Sequence, residues 1–199
     1  MANDASKIRF APNGGLFMAP SPTGGTGSTV LPDDVGDGGK TAPAGYKSFG
    51  YVDESGVTIT PSIETDPVNA WQSAVPVLYN VKGASFQIKA TLLETSKLTT
   101  EQFYGATWVE VMSDDTTPVP TGVYRLDLSS TPELSELSIV VDWAQKGKNY
   151  RTVIPRAMIS DRGGITLQRT EAQKYELTID ALDYNGGLGY VLTDEVMTA

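Results

Sequence analysis

From residue 49 onward, apolar and polar side chains alternate with a period of two. Val57, Ile59, Pro61 and Ile63 interleave with Thr58, Thr60, Ser62 and Glu64. The same alternation returns over residues 75–81, 86–92, 108–112, 124–128, 137–143, 165–167 and 175–181. A longer β-rich run covers 150–159 and is broken by Pro155. A period of two places one set of side chains toward a core and the other toward water, so each run predicts a strand. Antiparallel sheets with a solvated face carry this alternation, whereas parallel sheets covered on both faces read as continuous apolar runs.

One helix is predicted over residues 98–104. Ser96 or Thr99 caps it, Glu101 and Gln102 occupy its first turn, and Gly105 ends it. Leu98, Phe103 and Tyr104 then pack on the sheet. Lys146-Gly147-Lys148-Asn149 and Asp161-Arg162-Gly163-Gly164 read as hairpin connections. The expected fold class is mainly β, an antiparallel β-sandwich or barrel formed by residues 49–199 with one short flanking helix.

Residues 1–48 break the pattern. Gly14-Gly15, Gly24-Gly25-Thr26-Gly27 and Gly36-Asp37-Gly38-Gly39 separate short apolar pieces that cannot fold alone. Two readings are open for this stretch. It is either a solvated tail, or a long N-terminal arm that orders on a neighbouring subunit through Phe10, Leu16, Phe17 and Met18.

Composition narrows the chemistry. The chain has 199 residues with no cysteine and no histidine. That removes thiolate nucleophiles, disulfides, zinc–thiolate sites and the commonest general base. Paired carboxylates can hydrolyse glycosides without either residue, but among 24 acidic side chains a suggestive pair carries no specificity. Gly39-Lys40-Thr41 resembles the end of a phosphate-binding loop, yet the first glycine of that motif would fall on Asp34. Asp33-Asp34-Val35-Gly36-Asp37-Gly38 hints at a calcium loop, yet Val35 and Ala44 stand where oxygen ligands are needed. Gly25-Thr26-Gly27 lacks the third glycine of a dinucleotide fingerprint. The expectation is a protein that is not an enzyme and holds no cofactor and no metal.

The net charge of −9 works against binding nucleic acid. No apolar run reaches the ~20 residues of a membrane span, and Met1-Ala2-Asn3-Asp4-Ala5 opens without an apolar segment. Charge is unevenly spread. Residues 145–174 carry seven basic and two acidic side chains, net +5, and residues 175–199 carry five acidic and no basic ones. The basic residues are either solvated strand faces, or a patch (Lys146, Lys148, Arg151, Arg156, Arg162, Arg169) that meets an acidic surface of the next subunit. Head-to-tail assembly needs two matching but different patches.

Several segments stand in a familiar order. Phe49-Gly50-Tyr51-Val52-Asp53-Glu54-Ser55-Gly56-Val57-Thr58 precedes Trp71-Gln72. The strand from Phe86 to Glu94-Thr95 then leads to Thr100-Glu101-Gln102-Phe103-Tyr104-Gly105, followed by Ile154-Pro155-Arg156-Ala157 and the strand from Tyr175 to Asp180. Over residues 45–185 this order resembles the major tail proteins, or tail tube proteins, of long-tailed non-contractile bacteriophages, particularly those of actinobacterial hosts. The resemblance implies a β-sandwich or barrel with a helix on its flank. It implies hexameric rings stacked into a tube, a lumen lined by joined sheets through which DNA leaves the capsid, and loops and arms that reach the adjacent ring. The implied partners are copies of the chain and the tape measure, distal tail and terminator proteins. The implied location is the virion tail, after assembly in the bacterial host cytoplasm.

Such a lumen must not hold phosphate, and carboxylates on polar strand faces would repel it. Glu110, Asp127, Glu176 and Asp180 lie opposite the apolar faces of their strands and are the candidates. Each could equally face outside solvent or an inter-ring contact. The alternative reading of the whole chain is a β-sandwich decoration or adhesion module of a virion.

Overall fold

An antiparallel sheet in the order β2-β1-β7-β8-β9-β4-β3 organises the chain in the computed structural model, which describes residues 5–23, 29–113, 118–131 and 134–197. Its strands are β1 (Asn13–Pro20), β2 (Lys47–Ser48), β3 (Val52–Val68), β4 (Leu78–Leu92), β7 (Leu137–Gln145), β8 (Lys148–Arg162) and β9 (Tyr175–Ala181). A further strand, β10 (Tyr190–Thr193), pairs with Tyr150–Val153 of β8. Between β4 and β7 lie a helix, α1 (Lys97–Tyr104), and a separate two-stranded sheet of β5 (Trp108–Met112) and β6 (Pro120–Leu126). The mainly β class and, among the described residues, the single α-helix agree with the sequence pattern.

The main core fills one face of the sheet. Leu16, Ile88, Leu92, Ile139, Ile154, Leu177 and Ile179 meet there, and Phe49, Phe103 and Tyr175 close it. Ser96 caps α1 by accepting from the Thr99 N–H at 3.1 Å, and Gly105 ends the helix at φ 65°. That left-handed angle costs glycine nothing and most other residues strain. Phe103 then packs edge-to-face on Tyr175, 5.2 Å between ring centres. On the opposite face, Phe17, Ala19, Val140 and Val153 form a smaller cluster. Leu31, Ala42 and Tyr46 of the 29–46 segment and Tyr190 of β10 cover it.

The covered second face corrects the reading of residues 1–48. Residues 13–20 are not on an arm: β1 pairs with β7 along its whole length, from Asn13 opposite Ala144 to Pro20 opposite Leu137. Leu16 and Met18 enter the main core of their own chain, and Phe17 enters the opposite cluster. All three are buried, so they anchor nothing on a neighbour. Phe10 is exposed, with its N–H donating to Gln145. The expected boundary at residue 48 therefore does not separate a domain.

A buried ion pair latches the 29–46 segment. Arg151 donates to both carboxylate oxygens of Asp142 at 2.7 Å, and both side chains are almost wholly buried. The third nitrogen of the guanidinium reaches out to Asp34, donating to its carboxylate at 2.5 Å and to its backbone carbonyl at 3.2 Å. Burial pushes the Asp142 carboxyl upward, against the hydrogen bonds and charge of Arg151. The same bonds raise Arg151 and keep its guanidinium charged. Asp37 accepts the backbone N–H groups of Lys40 and Thr41 at 2.9 and 3.0 Å. The acidic stretch that hinted at a calcium loop is thus engaged with Arg151 and with its own backbone.

Of three further local expectations, two change and the hairpin at Lys146-Gly147 holds. Pro155 does not break β8, which runs unbroken while its pairing with β7 shifts between Leu137 and Ile139. A residue without an N–H is tolerated at such a bulge. Lys146 and Gly147 form a two-residue turn with φ 52° and 73°, which matches the twist of β7 and β8. Asp161 to Gly164 is not a hairpin: Arg162 still pairs with Leu177, and residues 163–174, including 165–167, form a loop.

Candidate assembly interfaces

β3 and β4 are 17 and 15 residues long, and only part of each packs on the core. Val57 and Ile59 of β3 and Ile88, Ala90 and Leu92 of β4 pack on the core. Beyond them the ladder continues from Pro61 opposite Phe86 to Val68 opposite Leu78. Residues 60–68 and 78–85 are exposed on both faces. Eight residues of strand rise about 26 Å. That exceeds the ~16 Å radius of gyration of a compact chain of this length.

The two faces of this ribbon differ. Paired residues share a face. Pro61, Ile63 and Pro67 therefore stand with Phe86, Ala84 and Tyr79, continuing the apolar face that fills the core. Thr60, Ser62, Glu64 and Asp66 stand with Gln87, Ser85 and Asn80 on the other face. Lys82 bonds Asp66 at 3.0 Å across the bulge that follows Glu64. The polar face continues onto β9, where Gln87 donates to Asp180 at 2.9 Å and Glu176 stands opposite Thr91.

β5 and β6 form a second ribbon that pairs with no other strand among the described residues. Val109, Met112, Val123 and Tyr124 are exposed on it. A two-stranded ribbon is marginal in water without cover. Exposed apolar side chains gathered on two such ribbons mark contact surfaces rather than ordinary scattered exposure.

The predicted carboxylates do not converge. Glu176 and Asp180 share the polar face that runs into the β3–β4 ribbon. Glu110 stands with Tyr124 on one face of the β5–β6 ribbon and accepts the Gly122 N–H at 3.2 Å. Asp127 follows β6 and bonds Arg125 at 3.0 Å, on the side that pairs with Val109. Glu110 and Asp127 thus point to opposite faces, because the register fixes alternate residues on alternate sides.

The basic patch is largely used within the chain. Arg151 is committed to Asp142, and Arg156 bonds both Glu136 oxygens, at 2.9 and 2.5 Å. Lys148 donates to the Asp194 carbonyl at 3.2 Å, and Arg162 to the Gln102 carbonyl at 3.5 Å. Lys146 is exposed at the β7–β8 turn and Arg169 in the 163–174 loop. Arg151, almost wholly buried, is therefore removed as an inter-subunit contact, while Arg156 and Glu136 stay about a third exposed. Of the basic run, Arg151, Arg156 and Lys174 pair with carboxylates of their own chain, and of the acidic run Glu195 pairs with Arg9.

Lys174 ties the 163–174 loop to the start of β3 by donating to Asp53 at 2.7 Å. That bond, with the Ser55 N–H at 3.0 Å, holds the Asp53 carboxyl down at about 2. A depressed carboxyl stabilises the folded chain above its unfolded value and loses that contribution as pH falls toward 2. The expected NMR titration of Asp53 has its midpoint near 2, and Lys174→Met moves it up toward 3.8. A native midpoint already near 3.8 would show that the tie does not form in solution.

A β body with two uncovered ribbons of mixed apolar and polar faces defines a subunit of a larger β assembly. The sequence matches the family model of the phage tail tube protein over residues 1–197, and the chain belongs to that family. It is a structural protein of the virion tail, which assembles with copies of itself and with other tail components. A cryo-EM structure of the anti-feeding prophage baseplate, 6-fold symmetrised, contains a chain that is similar at 9% identity and a TM-score of 0.44, covering 96% of this chain and 97% of that one. No curated protein matches this chain.

Proposed function

We propose that the chain forms hexameric rings that stack into the tail tube of a long-tailed non-contractile phage, and that the bore conducts DNA. The carrying observation is the two-faced β3–β4 ribbon. Its apolar face, with Pro61, Ile63 and Tyr79, needs cover that only another chain supplies. Its polar face, with Glu64 and Asp66 and continuing to Asp180 and Glu176, suits a wet bore. Carboxylates there weaken phosphate binding, since no counterions are released. Glu110 and Asp127, on opposite faces of the second ribbon, supply at most one bore-facing group in any one arrangement.

The tape measure, distal tail and terminator proteins are the further partners of this reading, an actinobacterium the host type, and the host cytoplasm the place of assembly. A decoration or adhesion module would bind its partner without needing two uncovered ribbons. Negative-stain electron microscopy tests the proposal. Purified protein, alone or with a tail-initiation complex, is expected to give rings and hollow tubes. Monomers under every condition, including with the initiation complex, overturn it.

A further inference from the structure

The sheet curls but does not close. At one end of the main core, the Asn13–Gly15 end of β1 faces the first half of β3 across a seam without forming a ladder. The seam opens into a groove of about 820 Å³. Val57, Ile59, Val141 and Trp143 form its apolar floor and share the face of the main core. Trp143 is held flat against Tyr150, 5.4 Å between rings that lie 7° from parallel. One wall is bare backbone, where Gly15 passes so near the 29–46 segment that a Cβ on it would lie 2.8 Å from the Gly39 carbonyl oxygen. The groove is the uncovered end of a hydrophobic core.

At the far end of the β3–β4 ribbon stands Trp71, 99% exposed. We propose that the groove receives the ribbon tip of a second copy, with Trp71 as the inserted side chain. This rests on the tube-subunit reading and names a receptor for one of its ribbons.

Three observations select this occupant. The first is direction. Val57 and Ile59 line the groove, and β3 runs away from it in a ladder that continues past one bulge after Glu64 to Val68, so a tip does not return to the groove of its own chain. The second is reach, since a ribbon extending about 26 Å past the body passes well into a neighbour. The third is charge. Two chains of net −9 repel, so a close contact needs locally neutral surfaces. Residues 69–77 at the tip carry no charge, so they meet no repulsion from Lys40, Asp53 and Glu54 on the groove walls, and the floor of Val57, Ile59, Val141 and Trp143 is apolar. A tryptophan alone buries about 150–250 Å², against the ~800 Å² per partner of a stable interface. The rest comes from the apolar face of the same ribbon, Ile63, Val81 and Tyr79.

The native chain has no cysteine, so introduced thiols report cleanly. Ala70→Cys, at the tip, and Ser55→Cys, at the groove rim, are prepared as separate variants, mixed, assembled and oxidised. A disulfide joining the two variants is expected in the mixture and in neither variant alone. A photo-crosslinker attached at Ser55→Cys is expected to map to residues 69–77 of another copy. Trp71→Ala is expected to raise the concentration needed for assembly about 30-fold while leaving the thermal melt unchanged, because the side chain touches nothing in the free subunit. Tubes that form with no mixed disulfide overturn the docking and leave the tube reading standing. Adducts that map to the N-terminal residues of a second copy, or to another protein, also overturn it. Monomers that neither cross-link nor assemble overturn both.

Discussion

A chain in which residues 61–86 are replaced by Asn-Gly, joining Thr60 to Gln87 through a two-residue turn, is expected to fold as a stable monomer and to form no tubes. Thr60 and Gln87 are paired in the register, so the new turn meets strands already in place. Most of the excised side chains are exposed on both faces, and only Phe86 packs partly on the core. The loss in folding stability is therefore small, about 1 kcal/mol, whereas every apolar contact that the ribbon offers to a neighbour disappears. Urea denaturation reports the first effect, and sedimentation with electron microscopy the second. Tubes of normal diameter from the shortened chain would remove this ribbon from assembly and move the burden to β5–β6.

The largest expected loss of folding stability follows Arg151→Leu. The change leaves Asp142 buried without its counter-charge and frees Asp34 from the latch. Removing one partner of a buried pair costs about 3–5 kcal/mol. The carboxyl escapes part of that cost by keeping its proton, so the folded variant binds a proton that the unfolded chain releases above about pH 4. Its stability therefore falls as pH rises, and the deficit against the native chain narrows on acidification. Asp142→Val combined with Arg151→Leu is expected to recover most of the loss, since an apolar pair of similar volume needs no compensation. Urea midpoints at pH 7 and pH 4 measure all of these effects. An Arg151→Leu chain as stable as the native one would show that the latch bears no load.

The strands that alternate cleanly were legible because one of their faces meets water. Residues 86–92 and, at Glu176, 175–181 belong to this class, whereas 137–143 alternates although both its faces are buried, because Ser138 and Asp142 there are polar residues bonded to Tyr46 and Arg151; α1 announced itself through Ser96 and Gly105. β1 was not legible for the complementary reason. Leu16, Phe17, Met18 and Ala19 are buried on both faces, so no period of two exists to be read, and the adjacent glycines imitate a loop. Arg151 was misplaced for the same reason: β8 is covered on both sides there, and a charged residue in a covered strand signals a buried pair rather than a patch. The length of the β3–β4 ribbon was half visible. Alternation marked residues 57–63 and 75–81, but nothing local shows that both runs leave the body. Trp71 stood in the sequence only as part of a family-like dipeptide, and its isolation at a ribbon tip is a property of the folded chain.

In the proposed tube, the alternation along residues 57–67 selects which face of the β3–β4 ribbon turns toward the bore. A copy inserted inside out would press Glu64 and Asp66 against apolar neighbours and turn Ile63 and Tyr79 toward the channel. Each mismatched position costs on the order of 1–3 kcal/mol, and a ring repeats the error in every member. In that arrangement the distinction between a wet interior and a dry seam is carried by the two faces of single strands before any two molecules meet.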